Sequence, residues 1–133
     1  MDLDAFLNII TETKKDQRKK YHLTLGDLIE FLEAAEQDAV VTPAVYEPHS
    51  YRGYYDDLSL TPRVQETTTV ERLLAELKDV LGKELEGYKG GECLMSEDTP
   101  LWLSSYGKVS GIAIVDVQNT GNEVHLICKE IDH

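Results

Sequence analysis

The sequence predicts an α+β domain, a mostly antiparallel sheet with two or three helices packed on one face. Two stretches of helical apolar spacing each open on a threonine cap, and the last third of the chain changes to strand-like, β-branched runs. A turn-forming pentapeptide separates those two runs. Helical patterns followed by paired strands belong to layered α+β architectures. At 133 residues with 41% hydrophobic content, the chain has material for one core and is read as a single domain over 1–133.

Residues 1–20 read as an N-terminal helix with a basic end. Leu3, Phe6, Leu7, Ile9 and Ile10 form the apolar stripe, and Lys14, Lys15, Arg18, Lys19 and Lys20 follow it. Cations at that end suit the negative pole of a helix. A nucleic-acid arm is the other reading, but no aromatic residues interleave the charges. The α+β core occupies 21–133. Thr24-Leu25-Gly26-Asp27 reads as a capping box, and Leu25, Leu28, Ile29 and Leu32 place a helix over 25–35. Ala39-Val40-Val41 is short and β-branched and is broken by Thr42-Pro43. A second box, Thr68-Thr69-Val70-Glu71, opens a helix with Val70, Leu73, Leu74, Leu77 and Leu81 on one face, and Gly82 sits where a left-handed cap is expected. Short strands are expected around 58–60, 94–95 and 101–103. The runs 111–117 and 123–129 pair through the turn 118–122.

The formal net charge is −12, from 13 Lys+Arg against 25 Asp+Glu. Long nucleic acid is held by neutralising many phosphates at once, so such a chain is repelled by it. A small nucleotide in a locally basic pocket remains compatible with that balance, as does an acidic decoy for a DNA-binding partner. Cys93 and Cys128 make no disulfide framework, although one bridge is open to them; buried, reduced thiols are the simplest reading. The first residues lack the basic and apolar regions of a signal peptide, and no apolar run nears the roughly 20 residues that span a bilayer. A cytoplasmic protein with no membrane partner is expected.

Tyr51, Tyr54 and Tyr55, three of the seven tyrosines, cluster with Arg52 and Gly53, and Tyr46 lies just upstream. Flanked by Pro43 and Pro48, the segment 46–57 reads mostly as loop. Tyr joins apolar area to a polar tip, and Arg holds phosphate through two parallel N–H bonds or stacks on a ring. This mixture suits a planar, phosphorylated ligand. The plain alternative is that the tyrosines pack a loop onto a sheet while Arg52 pairs with Asp56 or Asp57. In Gly87-Tyr88-Lys89-Gly90-Gly91-Glu92, glycines let backbone N–H groups converge on an anion and Lys89 adds charge, but a tight turn explains them equally well. Trp102 and Tyr106 complete the candidates, although a tryptophan is more often a core residue than a ligand platform. No histidine has metal spacing, and no nucleophile stands beside a base in sequence. Neither a metal nor a cofactor is expected, nor is catalysis.

Three segments, Ser50-Tyr51-Arg52-Gly53-Tyr54-Tyr55, Gly87-Tyr88-Lys89-Gly90-Gly91-Glu92 and Asp98-Thr99-Pro100-Leu101-Trp102, occur in that order together with the Thr24–Leu32 helix. Across roughly residues 22–117 they resemble bacteriophage accessory proteins, the Thoeris anti-defence sponges. The resemblance implies non-catalytic sequestration of a cyclic ADP-ribose-type or cyclic oligonucleotide signal, inside the infected bacterial host, by a homo-oligomer with pockets between subunits. Tyr51, Arg52 and Tyr54 are the first residues it would place in a pocket, then Tyr88 and Lys89, with Tyr55, Gly90, Trp102 and Tyr106 beside them. An acidic protein-binding inhibitor using the Tyr/Arg loop as its interface is the alternative, since the same residue types make interface hot spots. A nucleotide-processing enzyme using His49, Asp56 or Asp57 is the third reading.

Overall fold

The structure is a computed structural model that describes residues 21–87 and 90–131. The N-terminal helix expected over 1–20, and the Tyr88 and Lys89 positions, lie outside the described residues. Among the described residues two helices, α1 (Leu25–Ala34) and α2 (Val70–Val80), accompany nine strands. The strands are β1 (Val40–Thr42), β2 (Val45–Ser50), β3 (Leu58–Pro62), β4 (Thr68–Thr69), β5 (Glu84–Glu86), β6 (Glu92–Leu94), β7 (Leu101–Leu103), β8 (Ile112–Asn119) and β9 (Glu123–Glu130). The fold is α+β. Seven strands form one sheet in the order β2-β3-β7-β8-β9-β1-β4, and β5 pairs with β6 separately. Pairing in the large sheet is antiparallel except for β3 with β7 and β1 with β9, which run parallel. No described helix is long and apolar enough to cross a membrane.

The sheet must roll. Only Pro43 and Ala44 separate β1 from β2 in sequence, a link that spans at most about 11 Å. Yet β2 is one edge of the sheet and β1 is next to the other. Five interstrand steps in a flat sheet would put them roughly 24 Å apart. A contact across the gap agrees: Tyr46 on β2 donates its hydroxyl hydrogen to the Thr67 carbonyl just before β4. The guanidinium carbons of Arg63 and Arg72 lie 4.9 and 4.4 Å from the centre of the Tyr46 ring, clasping the two edges.

Inside the roll, Leu25, Leu28 and Leu32 of α1 and Leu73 and Leu77 of α2 are fully buried with Val45, Leu58, Leu60, Leu101, Ile114 and Val124. Alternation along β7 and β8 sends Trp102 and Ala113 to the opposite face, where they form a second, smaller cluster with Tyr51.

The segment 46–57 is mostly loop, over 51–57, but it opens on a strand that the sequence reading did not place: Val45–Ser50 is β2, bent by a bulge between Tyr46 and His49, with Glu47 at φ 54°. One expectation needs correcting. The cap of α2 is Thr69 and not Thr68, because Thr68 is buried and paired with Val41. Leu81 falls just past the helix, and Gly82 takes the expected left-handed turn at φ 81°.

Both helix starts are closed by neighbouring backbone. Leu25 and Gly26 N–H groups donate to the Thr99 and Glu97 carbonyls at 2.8 and 2.9 Å, and Asp27 N–H to Thr24 Oγ1. Val70 and Glu71 N–H groups donate to Ala39 and Gln37 carbonyls at 3.0 Å, and Arg72 N–H to Thr69 Oγ1. Donors that a helix elsewhere offers to an anion are consumed here. At Gly26 the approach leaves no room, since a Cβ would sit 2.9 Å from both the Cβ and the carbonyl oxygen of Glu97. Gly26→Ala is therefore expected to destabilise by about 1–3 kcal/mol through overpacking, although alanine is the better helix former. Urea unfolding measures it, and a raised midpoint would mean that the 96–99 turn yields at little cost.

Candidate functional site

The site is built on the sheet face opposite the helices. Trp102, centred on β7, is 1% exposed, and the Tyr51 ring stacks on it at 4.3 Å with 7° between planes. Trp102 Nε1 donates to Asp57 Oδ2 at 2.8 Å, and Asp57 is fully buried. Tyr51 accepts the Gly111 N–H on its hydroxyl oxygen at 3.0 Å. Burial raises the Tyr51 pKa above its ordinary value against the opposing pull of the Gly111 and Ser110 hydrogen bonds. The loop is closed at its neck, where Tyr51 N–H donates to the Asp57 carbonyl and Asp57 N–H to the Tyr54 carbonyl, both at 2.9 Å. A buried carboxyl, an indole and a phenol thus fix the base of the Tyr/Arg loop.

Sequence reasoning placed Tyr51 and Trp102 against a ligand. The structure places both in the core, with no ring face toward solvent, because their apolar area and their polar tips are satisfied within the protein. They position the loop and do not line its surface.

The other described candidates do reach the surface. Arg52 is exposed and its Nη1 donates to the Gly107 carbonyl, tying the loop to the 104–111 segment. Tyr54 is half-buried, with its ring centre 6.0 Å from that of Trp102. Tyr55 is also half-buried, and its ring lies on the Gly87 backbone, where a Cβ would come within 3.2 Å of it. Gly90, exposed at φ 88°, is three residues further along that segment, and its N–H donates back to the Gly87 carbonyl. Tyr106 is 61% exposed and stacks on His49 at 3.9 Å. The 49–57 segment thus joins the 104–111 segment through Arg52 and His49, and Gly87 through Tyr55.

Asp57 and His49 were not singled out as anchors by sequence reasoning. Asp57 reads as one of two adjacent surface acids, and only its partner 45 positions away reveals its role. His49 is 8% exposed, and its Nδ1 lies 2.7 Å from the Glu47 carbonyl. Burial pushes its pKa below 6.5, outweighing the hydrogen bonds to the Glu47 and Ser105 backbone and the Glu47 charge, which favour the cation. The folded protein thus holds that proton less readily than the unfolded chain. The stability His49 contributes is complete above the unfolded value and is lost as pH falls below it. Thermal midpoints are expected to drop more steeply between about pH 7 and 5 in the wild type than in His49→Gln; parallel curves would remove His49 from the acid response.

The cysteines are both free and half-buried. Burial raises the Cys128 thiol to about 11, and burial followed by the Asp56 carboxylate raises Cys93, so neither is an activated thiolate. Among the described residues no group of His, Cys, Asp and Glu is placed to hold a metal ion. Three surface cavities of about 290, 470 and 310 Å³ are lined by described residues, and Arg52, Tyr54, Tyr55 and Tyr106 line none of these three.

No protein-family model, curated protein or solved structure matches the chain.

Proposed function

We propose that the protein binds a small phosphorylated nucleotide, of the cyclic signalling class that the sequence resemblance implies, and holds it unchanged. The carrying observation is that Arg52, Tyr54 and Tyr55 reach the surface on one loop, tied by Arg52 to the segment that bears Tyr106, over a base fixed by Tyr51, Trp102 and Asp57. Ring faces supply stacking, at roughly 1–3 kcal/mol per base, and a guanidinium supplies bidentate phosphate contact. The closed helix starts add weight, since they leave anion recognition to arginine and to loop backbone. By the same resemblance the working unit is a homo-oligomer in the cytoplasm of an infected bacterium, where sequestration silences a defence signal.

Thermal stabilisation by a panel of cyclic ADP-ribose isomers, cyclic dinucleotides and cyclic trinucleotides tests the reading. Stabilisation, with the ligand recovered intact after heat release, is the expected result. A converted ligand would make the protein an enzyme. A second reading has its own observation: Tyr106 and Val109, 61% and 50% exposed, flank the 107–108 turn beside Arg52. An exposed Tyr/Arg/apolar patch has the composition of a protein-interface hot spot. A flat response across the whole panel would move the assignment to an inhibitor that binds a protein.

A further inference from the structure

The 104–111 segment is fixed at both ends. Ser104 N–H donates to the Leu60 carbonyl at 3.1 Å, and Ser104 Oγ donates to the Lys108 carbonyl at 2.8 Å. Ser110 Oγ donates to the Leu103 carbonyl, and Gly111 N–H to the Tyr51 hydroxyl. Between these ends Tyr106 and Gly107 form a tip, with Gly107 at φ 74°. The tip rests on the 49–57 segment. Tyr106 stacks on His49 with 22° between the ring planes, and the Gly107 carbonyl accepts from Arg52. The upper ring of the stack faces water while His49 beneath it is buried, so the tip covers a titratable side chain.

The groups around the His49 ring come from each element packed against it. On β2 itself are the Glu47 carbonyl, close to Nδ1, and the Glu47 carboxylate, which is paired with Arg63 beyond β3. The 104–111 segment supplies the Ser105 backbone and the Tyr106 ring. Opposite on β3 is Ser59, which carries no charge. Glu76 of α2 acts on the ring's surroundings through the Glu47 charge. The backbone acceptors and the carboxylate favour the imidazolium, and burial, to which the stacked Tyr106 ring contributes, opposes it and prevails. A proton that the covered ring refuses is one the uncovered ring accepts. Cover and proton therefore exclude one another, and the coupling is reciprocal.

We propose that residues 105–108 are a strap released by protonation of His49. With the imidazole neutral, Tyr106 lies on it and the Gly107 carbonyl holds Arg52, which keeps the Tyr/Arg surface assembled. With the imidazole charged, the ring draws water, Tyr106 lifts away and Gly107 leaves Arg52. A nucleotide held at neutral pH would then be released in acid. That consequence rests on the function proposed above, whereas the strap itself does not.

A magnetic-resonance pH titration of the full chain without ligand tests the strap, so that it and the nucleotide reading fail separately. The His49 ring signals give its midpoint, and the Tyr106 ring signals, displaced by the stacked imidazole, report the strap. In the wild type the Tyr106 signals are expected to lose that displacement with the same midpoint as His49. In Tyr106→Ala the His49 midpoint should shift upward, because the cover is gone. A Tyr106 displacement that persists through the His49 titration would overturn the proposal, and this reading needs no variant. An unchanged His49 midpoint in Tyr106→Ala would overturn it too, since the ring would then not be what excludes the proton. So would a lowered one, which would mean that Tyr106 closes on the charged ring. An upward shift in a protein that binds no nucleotide would support the strap and remove only its consequence for the ligand.

Discussion

Trp102→Ala is expected to lower the unfolding free energy by about 3–5 kcal/mol, the range for removing a large buried aromatic side chain. A domain of this size has roughly 5–15 kcal/mol in total, so the variant should be largely unfolded at moderate temperature. Two losses combine: the ring that Tyr51 stacks on, and the N–H that Asp57 accepts. Trp102→Phe separates them. It retains most of the apolar area but leaves a buried carboxyl short of a donor, at a cost of about 1–3 kcal/mol. Chemical denaturation of both variants measures the difference. Equal stability of Trp102→Phe and wild type would show that Asp57 finds a replacement partner at no cost.

Arg52→Ala is expected to weaken nucleotide binding by about 10- to 100-fold while leaving the unfolding midpoint nearly unchanged. Arg52 is exposed, and its bond to the Gly107 carbonyl lies at the surface. Loss of a charge-assisted contact to phosphate corresponds to roughly 1.5–3 kcal/mol of binding. Arg52→Lys should recover little of it, since an ammonium offers neither the planar fork nor the stacking face. Titration calorimetry with whichever nucleotide stabilises the wild type reads the effect. Full affinity in Arg52→Ala would take the site away from this loop, whatever the ligand proves to be.

The parts of the fold legible in the sequence are those governed by local spacing. Leu25, Leu28 and Leu32 report α1, Leu73 and Leu77 report α2, and the β-branched runs around the 118–122 turn report β8 and β9. Strand β2 was hidden because Glu47 and Pro48 interrupt it and its bulge breaks the two-residue alternation. The parallel pairings of β1 with β9 and β3 with β7 leave no local trace, since they join residues far apart in the chain. At the site, composition drew attention to the Tyr/Arg segment as unusual. It could not divide the rings into those that carry the loop and those that face solvent. A stacked, hydrogen-bonded tyrosine and a ligand-stacking tyrosine have the same sequence signature, and Tyr51 differs from Tyr106 only by Trp102 and Gly111 on one side and His49 on the other.

The rolled sheet also sets an order of events during synthesis. Strand β1 emerges from the ribosome early, but its parallel neighbour begins at Glu123, roughly eighty residues later. Until β9 has been made, no strand pairing joins β1 and β4 to the β2-β3-β7-β8 half of the sheet; the Tyr46 contacts to Thr67 and Arg72 bridge its edges without closing the ladder. The nascent protein should therefore wait with its sheet unclosed and with Val41 and Ile114, later buried in the core beside β9, still open to water. Closure comes as one late step, and chaperone occupancy or protease sensitivity of stalled chains should fall abruptly once residues 123–130 clear the exit tunnel.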